Sequence, residues 1–325
     1  MMTAEPAKQK KLGKTMRTRM KRLPFFPLAV LLLLLFFLRN SALAKTAVLA
    51  GLRRAALGVL PSVFPFLVLS DLLVSVGGLP HKIGAWLSPL FRLPPAACAA
   101  ILLGWICGFP IGAVYAAKEA EAGNLAPEDG ERTVAAASVP SPAFLVGVVG
   151  GGVFHRGSVG LILWFLCVFS AAVVCAVGGI GRKNAVKNSE KSLPSAPEPF
   201  FRLFTGAVRR AANVALNLCA FIAFFSVLIA LTDAVSARFG VPSGVFAWGA
   251  ALLELSGGID AAGAISTPLL LPFCAACCGW SGFSVHFQIF AVCKKMRLRY
   301  GKYLFAKALQ AILCFGLSWL SELFR

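Results

Sequence analysis

Apolar residues run along this chain in stretches of about twenty, separated by short polar segments. Ala56–Val76, Ala96–Ala117, Val159–Ile180, Ala211–Leu231 and Tyr303–Leu320 are the clearest. Each has the length a helix needs to cross about 30 Å of hydrocarbon. The pattern predicts an all-α polytopic membrane protein. Some apolar stretches carry residues that a plain membrane helix does not want. GFPIGA (Gly108–Ala113) and VPSPAF (Val139–Phe144) break the first part of the chain, ELSGGIDAAG (Glu254–Gly263) and CGWSGFSVHFQ (Cys278–Gln288) the second. Proline removes a backbone donor and clashes with the preceding turn. Hydrocarbon offers the freed groups no water, so such breaks survive only inside protein or beside a wet cavity.

The breaks divide the chain into two parts of similar plan. A polar segment, RKNAVKNSEKSLPSAPEP over 182–199, reads as a linker between a first block (41–181) and a second (200–325). Each block opens with an amphipathic stretch carrying an Arg pair, Arg53-Arg54 or Arg209-Arg210, then offers two interrupted helices, then a final apolar run. This layout predicts two inverted-type repeats with broken or re-entrant helices, the plan on which many transporter sites are built. Before the first block lie a basic tail (1–23), expected in the cytoplasm, and an apolar stretch (24–40), expected as a first span or uncleaved signal anchor rather than a cleaved signal. Between the first two breaks, KEAEAGNLAPEDGER (Lys118–Arg132) carries more acid than base and reads as the loop best suited to the non-cytoplasmic side, in conflict with a simple count of spans. Re-entrant hairpins would remove that conflict.

Composition sharpens the class. Apolar residues make up 58% and charged residues 14% of the 325, far from soluble usage. The formal charge of +19 gathers in the tail, the linker and a late loop (Lys294, Lys295, Arg297, Arg299, Lys302). Placed at the ends of apolar runs, it follows the positive-inside rule and contact with anionic membrane lipids; nucleic acid is not the expected partner. The ten cysteines fall almost all inside apolar runs and read as small buried hydrophobes; Cys274, Cys277 and Cys278 lack the further ligands a metal site needs. GxSxG and HExxH are absent, and so is an ATP-binding motif, so neither an enzyme, a cofactor nor a self-contained pump is expected. The glycines of VGVVGGGVF (Val146–Phe154) read as close helix packing.

Candidate site residues come from the breaks. An unwound helix aims half-helix N-termini at a cavity and frees backbone groups for a ligand. Gly108, Phe109, Pro110 and Gly112 form the first break, with Gly112 placed where backbone would meet ligand; packing alone is the alternative. Ser138 and Ser141 supply hydroxyls at the second, for substrate or for freed carbonyls. Ser281, Ser284, His286 and Gln288 supply further donors. Lys118 either meets an anion or snorkels to the interface. Glu254 stands alone among apolar neighbours, as a coupling carboxylate or as a structural acceptor for backbone N–H groups.

In their order, these motifs resemble the YlbJ-type sporulation integral membrane proteins, also called stage V sporulation protein V. GFPIGA, KEAEAGNLAPEDGER and SPAFLVGVVGGGVF carry the resemblance in the first half, with LPSVFPFLVLSDLL upstream. LELSGGI, GWSGFSVHFQI and YGKYLFAKALQ carry it in the second, and the whole covers roughly Ser41–Leu320. The resemblance implies the fold of gate or nucleoside-recognition domains. It further implies endospore formation in a Gram-positive cell and movement of dipicolinic acid across the outer forespore membrane. A nucleoside or other metabolite transporter, and a non-transporting scaffold for spore cortex or coat assembly, are the competing readings. Whether the chain forms a homo-oligomer stays open.

Overall fold

The computed structural model describes residues 25–76, 79–182, 199–265, 268–296 and 298–323. The basic tail and most of the expected linker lie outside the described residues. The chain divides into two units, one up to Thr46 and one from Ala47 onward. In the first unit, α1 (Phe25–Arg39) is apolar but only 15 residues long. At about 1.5 Å per residue it spans some 22 Å, short of the hydrocarbon thickness.

The described residues contain helices and no strands. Six helical stretches are long and apolar enough to cross a membrane: α2 (Ser41–Ser75), the broken helix Pro127–Val153, α7 (Gly157–Val177), α8 (Phe200–Arg238), the broken helix Leu270–Val292, and α13 (Tyr300–Leu323). Between them lie α3 (Pro95–Cys107), α4 (Ile111–Glu121), α9 (Ser243–Leu253) and α10 (Leu255–Gly263). The first broken helix consists of α5 (Pro127–Ala137) and α6 (142–153), the second of α11 (Leu270–Trp280) and α12 (Phe283–Val292). The order long helix, short pair, broken helix, long helix thus occurs twice.

The apolar run Ala96–Ala117 is not a span. It folds into a hairpin of α3 and α4, because Gly104 and Gly112 let the two backbones touch. A Cβ on Gly112 would sit 2.6 Å from the Gly104 Cα. His81, just before α3, meets Glu119 near the end of α4 at 3.1 Å. The pair therefore enters and leaves at one end of the molecule. In the second half, α9 and α10 fold back in the same way, with Gly258 packed onto the Ala251 backbone. α3 is apolar on every side and accordingly buried almost throughout, from Ala96 to Cys107. Gly150 of α6 packs against Gly160 of α7, as expected of close helix contact.

The acidic segment is not on the side opposite the basic loops. Arg182 bonds Glu128 at 2.7 Å, Arg299 bonds Glu131 at 2.8 Å, and Lys295 lies 3.3 Å from Glu121. The turn between α4 and α5, the end of α7 and the loop before α13 share one end of the molecule. Local charge did not show this, because the partners of these carboxylates lie up to 174 residues away.

The long helices of the two halves are tied by matching contacts. Arg54, on α2, pairs with Asp260 of α10 and donates to Ser226 of α8 at 3.2 Å. Arg210, on α8, reaches back to Asp71 and Ser75 of α2, each at 2.7 Å. The two Arg pairs seen in the sequence each supply one such tie.

Candidate functional site

All four interruptions exist, and each has a local cause. At the first, α3 ends on Gly108 at φ +78° and ψ −177°, a conformation open to glycine, and Phe109–Pro110 is a cis peptide. At the second, Pro140 and Pro142 flank Ser141, whose hydroxyl accepts from Phe144 N at 3.2 Å and caps α6. At the third, Glu254 is extended between α9 and α10 and caps α10. At the fourth, Ser281 and Gly282 both take positive φ.

The breaks cross in pairs. Phe109 N donates to Val139 O at 3.1 Å, and Gly108 lies so close to Ser141 that a Cβ would approach Ser141 N to 2.6 Å. Gly282 lies close on the Glu254–Leu255 backbone, where a Cβ would approach to 3.0 Å. Between the two crossings is a small cavity of about 40 Å³. Phe109 and Ser141 line it from the first half, Glu254 and Ser256, then Ser284 and Gln288, from the second. Val59 and Val63 of α2 and Leu218 and Ile222 of α8 close it.

Half-helix N-termini gather here: those of α6, α10 and α12 lie in the wall, and Phe109 leads into that of α4. Such ends carry partial positive charge and favour anions. One is already served by the protein's own carboxylate. Glu254 accepts from Ser256 N at 3.0 Å, Ser256 Oγ at 2.7 Å and Gly257 N at 2.7 Å. This is the geometry of the structural alternative, yet the same residue forms part of the cavity wall. Ser284 Oγ, buried, has no partner among the described residues. A space of 40 Å³ admits roughly one to three waters. It is far below the ~300–1,000 Å³ of ligand pockets.

Of the candidates read from sequence, Phe109, Ser141, Glu254, Ser284 and Gln288 meet at the cavity. Gly108, Pro110 and Ser281 shape the breaks but do not line it; the Ser281 hydroxyl donates to Cys278 O. Gly112 lies outside the cavity wall and packs between helices, against Gly104 and Ala137. Ser138 Oγ is spent on Val134 O. Lys118 lies on α4 outside the cavity wall. His286 points away from the cavity, with Nδ1 3.0 Å from the Tyr303 hydroxyl.

Sequence reasoning missed Lys307. It is fully buried in α13, and its Nζ donates to Ser138 O at 2.6 Å and to Gln310 Oε1. Gln310 Nε2 in turn donates to Cys167 O at 3.0 Å. The lysine thus holds the carbonyl freed where α5 stops. The signal was present: Tyr303, Lys307, Gln310 and Cys314 recur at three- and four-residue spacing, a polar stripe on one helix face.

No family model matches the chain, and no solved structure matches it. Among curated proteins, it is similar to the sporulation integral membrane protein YlbJ of Bacillus subtilis (strain 168). The two are 25% identical over 299 residues, which cover 78% of this chain and 71% of the relative. With six helices fit to cross a membrane, the chain is an integral membrane protein. The ordered motifs and this similarity agree: the chain resembles the YlbJ-type sporulation integral membrane proteins.

Proposed function

We propose that this protein is a sporulation-associated transporter of a small organic anion, with dipicolinic acid, carried across the outer forespore membrane, as the leading substrate. The observation that carries the reading is the meeting of four helix interruptions, two from each half, around one cavity. A scaffold needs no such interruptions. In this reading the halves are inverted repeats: the α3–α4 hairpin enters from one end of the molecule and the α9–α10 hairpin from the other. Transport would require the long helices α2 and α8 to part, since their Val59, Val63, Leu218 and Ile222 close the cavity.

Glu254 sets a condition on the substrate. An anion entering the cavity faces a carboxylate in its wall, and the two negative charges oppose each other unless a positive charge enters with the anion. The reading is therefore anion–proton symport. The same carboxylate, beside the Phe109 ring and the Ser141 and Ser284 hydroxyls, also favours a second reading, a neutral aromatic such as a nucleoside.

Uptake into liposomes holding the full chain separates these. Labelled dipicolinate should accumulate when the outside is acid, and labelled uridine should not. Glu254→Gln keeps a carbonyl to accept from Ser256 and Gly257, so the protein should fold and lose the pH dependence of uptake. Uptake no greater than in empty liposomes would overturn the transport reading; uridine uptake alone would favour the second.

A further inference from the structure

Away from the cavity, α5, α7 and α13 enclose a groove of about 710 Å³. Its floor includes Ala135, Ala171 and Gln310, and its outer wall includes Phe305 and Ile312, each 66% exposed. The long side of the groove is therefore open to the surrounding hydrocarbon. A small water-soluble ligand would not be held there, whereas an acyl chain would.

One end of the groove is cationic. Arg132, Arg182, Arg299 and Lys302 line it together with Glu128 and Glu131. Arg182 and Arg299 are committed to carboxylates. Arg132 spends its terminal nitrogens on the carbonyls of Phe91, Arg92 and Cys175, and its Nε is buried with no partner among the described residues. Lys302 is exposed and makes no ion pair among the described residues. Lys302 is thus a positive charge at the end of the groove with no carboxylate partner among the described residues.

Length fixes the occupant. The groove follows α13 from Gly301 to Leu313, about 18 Å at 1.5 Å per residue. That is close to one leaflet, half of the ~30 Å hydrocarbon core. The charged end lies with the basic loop before α13, the side that positive-inside placement gives to the cytoplasm. The geometry points to a binding site for one anionic phospholipid of the cytoplasmic leaflet, its phosphate at Lys302 and one acyl chain along α13. The inference is independent of the transported substrate.

Native mass spectrometry of the full chain, released from nanodiscs of mixed phosphatidylglycerol and phosphatidylcholine, tests it. The wild type should retain one phosphatidylglycerol in preference to phosphatidylcholine. Lys302→Glu should reduce that retention about tenfold by reversing the head-group contact. Ala306→Trp, which fills the groove without touching its charged end, should abolish retention of either lipid there. Unfolding temperatures measured in lipid-free detergent confirm that each variant folds; should Ala306→Trp not, Leu309→Trp takes its place. Equal retention of the two lipids by wild type, or retention unchanged in Lys302→Glu and the tryptophan variant, would overturn the site.

Discussion

Gly108 and Gly123 both have positive φ, 78° and 84°, and they differ in what surrounds them. Alanine at either position carries positive-φ strain of about 1–3 kcal/mol. Only at Gly108 does the new Cβ also run into backbone, at Ser141; around Gly123 there is open space. Gly108→Ala should therefore lower the unfolding temperature of the purified protein by clearly more than Gly123→Ala. Equal shifts would mean that the first two breaks are not in tight contact. The need for a close approach at GFPIGA was legible in its glycines. What approaches was not: at Gly108 it is the second break, at Gly112 a neighbouring helix, and both depend on tertiary contacts that no local pattern encodes.

Elements that stop inside the protein need partners for their last carbonyls, and here the partner comes from a distant helix. Lys307 of α13 bonds the Ser138 carbonyl just past α5, and Gln310 extends the contact to Cys167 of α7. A hydrogen bond to a charged group contributes about 1.5–3 kcal/mol, and a buried acceptor left unpaired is costly. Lys307→Met should thus be strongly destabilising, read as a fall in unfolding temperature. Adding Gln310→Leu should cost less than it does alone, because the amide oxygen that lost its donor disappears with it. Strict additivity of the two changes would show that the pair does not act together. That α5 would end before Pro140 was readable from the prolines. That a lysine would hold the end was not, since Lys307 lies 169 residues from Ser138 and the polar stripe on its helix does not name its partner.

For the whole molecule, the double occurrence of long helix, hairpin, broken helix and long helix was legible from the paired breaks, while the placement of the acidic turn was not. The ion pairs gather the α4–α5 turn and the loop before α13 at one end, and the positive-inside rule assigns that end to the cytoplasm. α8, at 39 residues or about 58 Å, is long enough to carry the chain to the opposite end before α9 begins. The proposed inversion then requires the α9–α10 hairpin to enter from outside the cytoplasm and α3–α4 from within it. Single cysteines can read this directly, because nine of the ten native cysteines are buried and give little background. Ala126→Cys, Lys294→Cys and Ser243→Cys all replace exposed residues. In right-side-out vesicles, an impermeant maleimide should label Ser243→Cys at once, and the other two only after the membrane is opened. Labelling of Ala126→Cys together with Ser243→Cys would place both hairpins on one side and remove the inversion, and with it the rocking of one half against the other on which the transport reading depends.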